Sequence, residues 1–152
     1  MLGPDLIDLT LSLDTSIYAS GDVLADTQEL ANAVPTLGGH AEIRSIIAND
    51  KDDQGQAMDI VFLRSNVSIG TENAAVSVSD TNADEILGVI SIASGDWVDL
   101  GGCRVATKGN LGFVVTAAAA SQSIYVAAIS RGTGTYTASG VTLHIGMASS
   151  EL

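Results

Sequence analysis

Apolar and polar side chains alternate with a period of two along most of this chain, which is the pattern of half-buried β-strands. In the segment LIDLTLSLD, the side chains of Ile7, Leu9, Leu11 and Leu13 would face one side of a strand, and the polar residues between them the other. The pattern predicts a strand with one buried and one exposed face.

Several further segments carry the same signal. HAEIRSII repeats the alternation and would place Ala41, Ile43 and Ile47 on one face, whereas MDIVFL is apolar on both faces, as in a central strand covered on each side. The remaining strand candidates are residues 88–93, 103–107, 111–117, 123–130 and 141–147. Short strands separated by Gly, Asn, Asp and Ser clusters predict an antiparallel sandwich or barrel.

Two segments also carry helical features. DTQELANAV has Asp26 and Glu29 at capping-box spacing with Pro35 just beyond, which would suit a helix of two turns. The same residues alternate as in a strand, and we favour the strand because the preceding GDVLAD has strand character too. TNADEIL predicts a helical turn, with Asn82 as its cap and Glu85 at the third helical position. We therefore predict an all-β fold, an antiparallel β-sandwich with one or two short helical turns.

The length of 152 residues fits one domain, and the chain has no linker, low-complexity tract or internal repeat. We predict an N-terminal arm at residues 1–6 and a single sandwich domain at residues 7–152. No apolar run is long enough for a transmembrane helix. The start MLGPDLIDLT has acids where a signal peptide needs bases, so we do not expect export by that route.

Charge narrows the possible partners. Eighteen acidic residues face six basic ones, for a formal net charge of −12, and the Lys and Arg residues are scattered singly. Nucleic-acid affinity depends on Lys and Arg neutralising phosphates. We therefore expect no binding to nucleic acid and none to an anionic membrane surface.

The densest acidic stretch is NDKDDQGQAMD. Asp50, Asp52 and Gly55 match positions 1, 3 and 6 of a helix–loop–helix calcium loop, but position 12, which needs a bidentate acid, is Val61. We favour a solvated hairpin turn without metal, and a non-standard calcium site at Asp50, Asp52 and Asp53 is the alternative.

Other candidate chemistry is sparse. His40 and His144 lie on the polar faces of predicted strands, and the lone Cys103 fits a small core residue. No Gly-x-Ser-x-Gly elbow or phosphate-binding loop is present. We predict no catalytic residue, no cofactor and no enzymatic activity. Trp97 fits packing over the end of the sandwich or across a subunit interface better than a sugar-binding platform.

One resemblance covers most of the chain from Tyr18 onward. It lies in the order and turn composition of the blocks YASGDVLAD, DKDDQGQAMDIVFLRSN, TENAAVSVSDTNADEILGVISI, LGGCRVATKGNLGF and YVAAISRGTGTYTASGVTLHIGM. These blocks resemble small virion structural proteins of tailed bacteriophages, the jelly-roll head decoration or cement proteins. The resemblance implies a jelly-roll fold and brings no catalytic residues.

The resemblance further implies a cytoplasmically made protein that binds the major capsid protein on the outer surface of the head, stabilises the shell, and associates with itself, most plausibly as a homotrimer. Its strong acidity fits the outer face of a DNA-filled shell better than the inner one. The alternative is a tail- or fibre-associated β-sandwich module that binds host glycan.

We expect the contacts with other subunits to come from the N-terminal arm and from loops at one end of the sandwich. The loop RGTGTYTASG belongs to these, and Arg and Tyr are enriched in the energetic centres of interfaces. The Gly3-Pro4 step would keep the arm extended. The predicted interface residues are Met1, Leu2, Gly3, Pro4, Asp5, Trp97, Arg131 and Tyr136.

Overall fold

The computed structural model describes residues 4–149, which fold into two antiparallel sheets packed face to face. In chain order the strands are β1 Pro4–Thr10, β2 Val23–Leu30, β3 His40–Asp50, β4 Met58–Leu63, β5 Ile86–Ile92, β6 Trp97–Asp99, β7 Arg104–Lys108, β8 Phe113–Thr116, β9 Ile124–Ser130 and β10 Val141–Ala148. A one-turn helix α1, Asp80–Ala83, and a 3-10 turn, Ser94–Asp96, lie on either side of β5. The predicted all-β sandwich is confirmed.

The strand order is that of a jelly roll. The larger sheet has the order β1-β10-β3-β7-β6, and the smaller one has the order β2-β9-β4-β5. β8 and β7 pair with successive parts of the same edge of β3 and so occupy one strand position. The chain crosses between the sheets at each step from β1 to β4, from β5 to β6, and at each step from β8 to β10, as in the double Greek key of jelly rolls.

The predicted register of β3 is wrong at one residue. Ala41 and Ile43 are buried as expected, but Ile46 is 0% exposed and Ile47 is only partly buried. The cause is a β-bulge: Met147 pairs with Ile43 and Gly146 pairs with Ser45, which leaves Arg44 as an extra residue. One extra residue turns every later side chain to the opposite face.

β4 is covered on both faces, as its composition predicts. Its inward face contributes Met58, Ile60 and Phe62 to the core between the sheets. Its outward residues Val61 and Leu63 belong to a second apolar cluster. Residues 64–79 cover this cluster, because they cross the outer face of the smaller sheet. This crossing segment explains why the outward face of β4 is apolar except for Asp59, which pairs with Arg131.

The segment after residue 22 adopts the favoured strand. β2 ends at Leu30, and Asn32 has a left-handed φ of 55°, so the predicted alternation stops before Val34. The helical alternative does not form. Ala33 and Val34 are nevertheless buried, because the turn returns them to the core.

The predicted helical turn forms with a different cap. α1 begins at Asp80, and its N-cap is Ser79, whose side chain accepts a hydrogen bond from the Asn82 N–H. Asn82 therefore lies inside the turn and donates its side-chain amide to the Ser68 carbonyl at 3.1 Å. Glu85 follows the turn, because the apolar residues of β5 begin immediately after it.

The predicted arm at residues 1–6 does not extend to residue 6. Pro4, Asp5 and Leu6 already belong to β1 and pair with residues 148, 147 and 146 of β10. The strand continues there because the free edge of β10 is available along its whole length. Met1, Leu2 and Gly3 lie outside the described residues.

Two further sequence expectations concern the last strands and the membrane. β9 and β10 are core strands as predicted, but they lie in different sheets, so residues 131–140 cross the end of the sandwich. Within residues 4–149, no helix has the length and apolar character that crossing a membrane requires.

The bulge gives a matched pair of variants. Ile46→Ala should lower the free energy of unfolding by about 2–5 kcal/mol because it opens a cavity in the core. Ile47→Ala should cost about 1 kcal/mol or less, because that side chain is already partly solvated. Urea unfolding of both variants checks this, and the reverse ranking would contradict the register described here.

Candidate interaction surfaces

The acidic loop between β3 and β4 is organised by one buried carboxylate. Asp50, the last residue of β3, is 0% exposed. Its Oδ1 accepts the Asp52 N–H at 3.0 Å, and its Oδ2 accepts the Gln54 and Gly55 N–H groups at 2.8 Å each. Three backbone donors around one carboxylate compensate its burial and fix the path of the loop.

The same loop holds residues 131–140 through a side-chain ladder. Alternate side chains of the first loop accept hydrogen bonds from alternate backbone N–H groups of the second. The pairs are Asp52 with Thr137 at 2.8 Å, Gln54 with Thr135 at 3.0 Å and Gln56 with Thr133 at 3.1 Å. A Cβ at Gly140 would overlap the Asp52 carboxylate, so glycine is required for this approach.

Sequence reasoning missed this ladder, although a signal for it was present. Polar residues recur at every second position in DDQGQ from Asp52 and in TGTYT from Thr133. Each spacing alone is typical of ordinary turn chemistry. Only the crossing of residues 131–140 between the sheets brings the two segments side by side.

The third acid of the loop forms an ion pair. The Arg104 Nε lies 2.7 Å from the Asp53 Oδ1, and its Nη2 lies 3.5 Å from the Asp99 Oδ2. The hydrogen bond that Arg104 donates to Asp53 is the main cause that raises the pKa of the Arg104 guanidinium. Asp53 thus joins the loop to β7 instead of pointing toward Asp50 and Asp52.

This geometry does not support the alternative calcium site. The oxygens of Asp50, Asp52 and Asp53 accept hydrogen bonds from different donors on three sides of the loop. Within residues 4–149, no group of three or more His, Cys, Asp or Glu side chains is arranged to hold a metal ion. The loop is also not a freely solvated hairpin turn, since its side chains are committed to neighbouring segments.

Two of the predicted interface aromatics are buried within this chain. Tyr136 is 4% exposed and packs edge-on against Tyr18, with ring centroids 6.0 Å apart. Trp97 is 7% exposed, and its Nε1 donates to the Gln56 carbonyl at 3.0 Å. Both rings close the end of the sandwich, which leaves little of either for a neighbouring subunit or a sugar. Trp97 thus packs over the end of the sandwich, which was one of the two arrangements predicted for it, and contact of either ring with a neighbouring subunit stays a prediction.

The remaining predicted residues are distributed over the surface. Arg131 is partly exposed and its Nε lies 2.8 Å from the Asp59 Oδ2. Asp5 is exposed at the start of β1. Of the five predicted interface residues that the structure describes, Trp97, Arg131 and Tyr136 come to the same end of the sandwich, where Gln56 and its neighbours connect them.

The histidines lie on polar faces, as expected. His40 is exposed, and the His144 Nδ1 lies 2.6 Å from the Asp8 Oδ1 across the β1–β10 pair. Cys103 is half-buried in the turn before β7 and is not the core residue that we predicted. The turn itself is exposed, which keeps this side chain at the surface.

A second acidic group surrounds the first turn of the chain. The Asp14 Oδ2 accepts the Asn73 side-chain amide at 2.6 Å, and the Tyr18 hydroxyl donates to the Leu24 carbonyl at 2.8 Å. Burial raises the pKa of Tyr18 to about 12. Burial, followed by repulsion from Asp26 and Asp14, raises the pKa of the Glu72 carboxyl.

No protein-family model matches the sequence, and no curated protein matches it. Among solved structures, the chain is similar to one described as Desmodium yellow mottle tymovirus, with 11% identity and a TM-score of 0.30 over 98% of this chain and 82% of that chain. It is also similar to the infectious bursal disease virus VP2 subviral particle, with 15% identity and a TM-score of 0.22 over 95% of this chain and 40% of that chain.

A structure of the same virus, Gx strain, gives 14% identity and a TM-score of 0.19 over 95% of this chain and 41% of that chain. All three are viral structures. At these TM-scores the likenesses carry no argument about function, which must be inferred from this chain's own residues.

Asp50→Ala should lower the free energy of unfolding by on the order of 3 kcal/mol, because it leaves buried backbone N–H donors without an acceptor. Asp84→Ala is the control, since Asp84 is exposed and should change stability by about 0.5 kcal/mol or less. Urea unfolding of both variants measures the difference. Equal losses would show that the Asp50 carboxylate does not organise the loop.

Glu72→Gln should raise the free energy of unfolding at pH 7. A carboxyl whose folded-state pKa is raised opposes folding when it is ionised, and the neutral amide removes that penalty. The gain should shrink as pH falls through the raised pKa and vanish below the ordinary Glu pKa, where both states are protonated.

Thermal unfolding of Glu72→Gln across pH 3 to 7 tests this expectation. Asp84→Asn removes the same charge from an exposed position and should give a smaller gain at pH 7. A Glu72→Gln gain that does not depend on pH would contradict the electrostatic explanation.

Proposed function

We propose that this chain is a virion structural protein of a tailed bacteriophage that decorates the outer surface of the head and stabilises the shell. The observation that carries the proposal is the agreement between the sequence resemblance and the strand topology, which are independent of each other. The sequence blocks resemble jelly-roll decoration proteins, and the strands are connected as a jelly roll. A fold alone hosts many functions, so the resemblance supplies the role and the topology supports it.

Charge supports the outer position. The formal net charge is −12, and five of the six basic side chains, all except Lys51, pair with an acid among the described residues. The protein therefore presents no cluster of unpaired cations to DNA phosphates. An acidic protein is repelled by packaged DNA, and this repulsion favours the side of the shell that faces solvent.

The alternative function, a tail or fibre module that binds host glycan, gains no support from the site. An exposed aromatic ring would be its natural platform, yet the only tryptophan, Trp97, is 7% exposed. The proposed decoration role needs no catalysis, cofactor or metal.

The proposed mechanism is differential binding. A decoration protein stabilises the mature shell only as far as it binds that state more tightly than the immature one. We propose that a homotrimer contacts several copies of the major capsid protein, since linked subunits gain affinity through effective concentration. We propose residues 1–5 and Arg131 as the contacts: the side chains of Asp5 and Arg131 are exposed, and residues 1–3 lie outside the described residues.

Copy number tests the proposal. Purified virions separated on a quantified gel should contain this protein in numbers comparable with the major capsid protein, because decoration sites repeat over the whole shell. A count matching a single tail or fibre complex would contradict the head position and favour the glycan-binding alternative.

A matched deletion tests the attachment. Removing residues 1–3 should reduce occupancy on purified, undecorated capsids and leave the circular dichroism spectrum unchanged, because β1 begins at Pro4. Ser16→Gly in the loop after β1 serves as the control and should bind as the unaltered chain does. Occupancy equal to that of the control would show that residues 1–3 are not an anchor.

A further inference from the structure

The two sheets differ in how their outer faces are covered. Residues 64–79 cross the outer face of the smaller sheet and bury Val61 and Leu63 beneath them, with Ile69 of the segment in the same apolar cluster. No described segment crosses the outer face of the larger sheet. Its outward residues therefore form a broad surface, here called the open face, which runs from β1 through β10, β3 and β7/β8 to β6.

One row shows the character of the open face. Five side chains align across it in register, one from each strand position. They are Thr10, Thr142, Asn49, Val105 and Val98. Short hydroxyl, amide and β-branched side chains of this kind make a flat surface without projecting charges.

The open face is also nearly free of the chain's excess acid. Among its outward positions within residues 4–149, only Asp8 and Glu42 are acidic, whereas the whole chain has 18 acids. Both acids have a basic neighbour: the His144 Nδ1 lies 2.6 Å from Asp8, and the Arg44 Nε lies 3.4 Å from Glu42. Most of the charge that gives −12 lies elsewhere.

Two polar atoms of this row, on the two middle strands β10 and β3, are already withdrawn from water. Asn49 Oδ1 and Thr142 Oγ1, on neighbouring strands, have no accessible surface and no hydrogen-bond partner. A second molecule that covers this face would therefore remove no water from these two atoms. Larger apolar side chains stand at the margins, where Leu6 is 56% exposed, Val98 60% and Val114 59%.

We propose that the open face is the surface through which copies of this chain contact one another. Two molecules with a charge of −12 repel, so association is least opposed where acids are fewest and lie beside basic side chains. Depletion of charge at the centre is also what distinguishes interface cores from other surfaces. A basic partner would instead select the acid-rich surfaces.

The size of the face suits a second copy. Five strand positions at about 4.8 Å and strands of roughly 25 Å give an area of roughly 600 Å². Specific interfaces bury about 600–1,000 Å² on each partner, so the face reaches the lower end of that range. This inference deepens the proposed function: a homotrimer would turn the three open faces toward its axis.

Sedimentation of the purified chain tests the inference without virions. The unaltered protein should be an oligomer of the 15.5 kDa chain at micromolar concentration, and salt should tighten it by screening the shared negative charge. The double variant Val98→Glu with Thr107→Glu puts two acids on exposed positions of the open face. Its dissociation constant should rise about tenfold or more.

The control adds the same charge elsewhere. Leu37→Glu with Val89→Glu changes two exposed residues outside the open face and should leave the oligomer intact. Val114→Glu, on β8 of the open face, repeats the test with one charge, and circular dichroism verifies each fold.

A monomeric unaltered protein, or face variants that assemble as the control does, would overturn the inference. Because virion copy number is measured separately, such a failure can be distinguished from failure of the proposed function.

Discussion

A β-sheet has two faces, and a sandwich of two sheets covers only one face of each. This constraint governs most of what is unusual in the chain. In the smaller sheet the second face is covered by the chain itself, because residues 64–79 cross that face and create a second apolar cluster around Ile69. β4 can therefore be apolar on both faces. The outer face of the larger sheet instead carries short, weakly polar side chains. Such side chains tolerate water and are also suited to contact with a neighbouring copy.

The acids are used in two different ways. At one end of the sandwich, Asp50, Asp52 and Asp53 are structural acceptors that position the loops after β3 and β9. Their carboxylates replace the backbone partners that irregular segments lack. Elsewhere the acids remain in excess over the bases and give the surface a negative charge. The acidic stretch that first suggested a calcium site thus stabilises the conformation of these loops.

The proposed role joins these features. A small protein that attaches to a repeating shell needs a rigid frame, a surface that accepts its own copies, and a charge that keeps it away from DNA. The jelly roll supplies the frame, with the Tyr18–Tyr136 pair closing one end. The open face supplies the surface for contact with other copies, and the excess of acidic residues elsewhere supplies the charge that repels DNA. None of these requires reactive side chains, in keeping with a chain whose histidines and cysteine lie apart.

The sequence by itself determined what depends on neighbours in the chain: the two-residue period of the strands, the double burial of β4 and the core position of β9 and β10. Tertiary structure alone decided the bulge at Arg44, because that extra residue exists only relative to β10. It also decided that Trp97 and Tyr136 are buried, since their partners, Gln56 and Tyr18, come from segments far away in sequence. Local patterns encode which face a side chain takes. They do not encode which distant strand or loop will cover it, because pairing is settled by the packing of the whole chain.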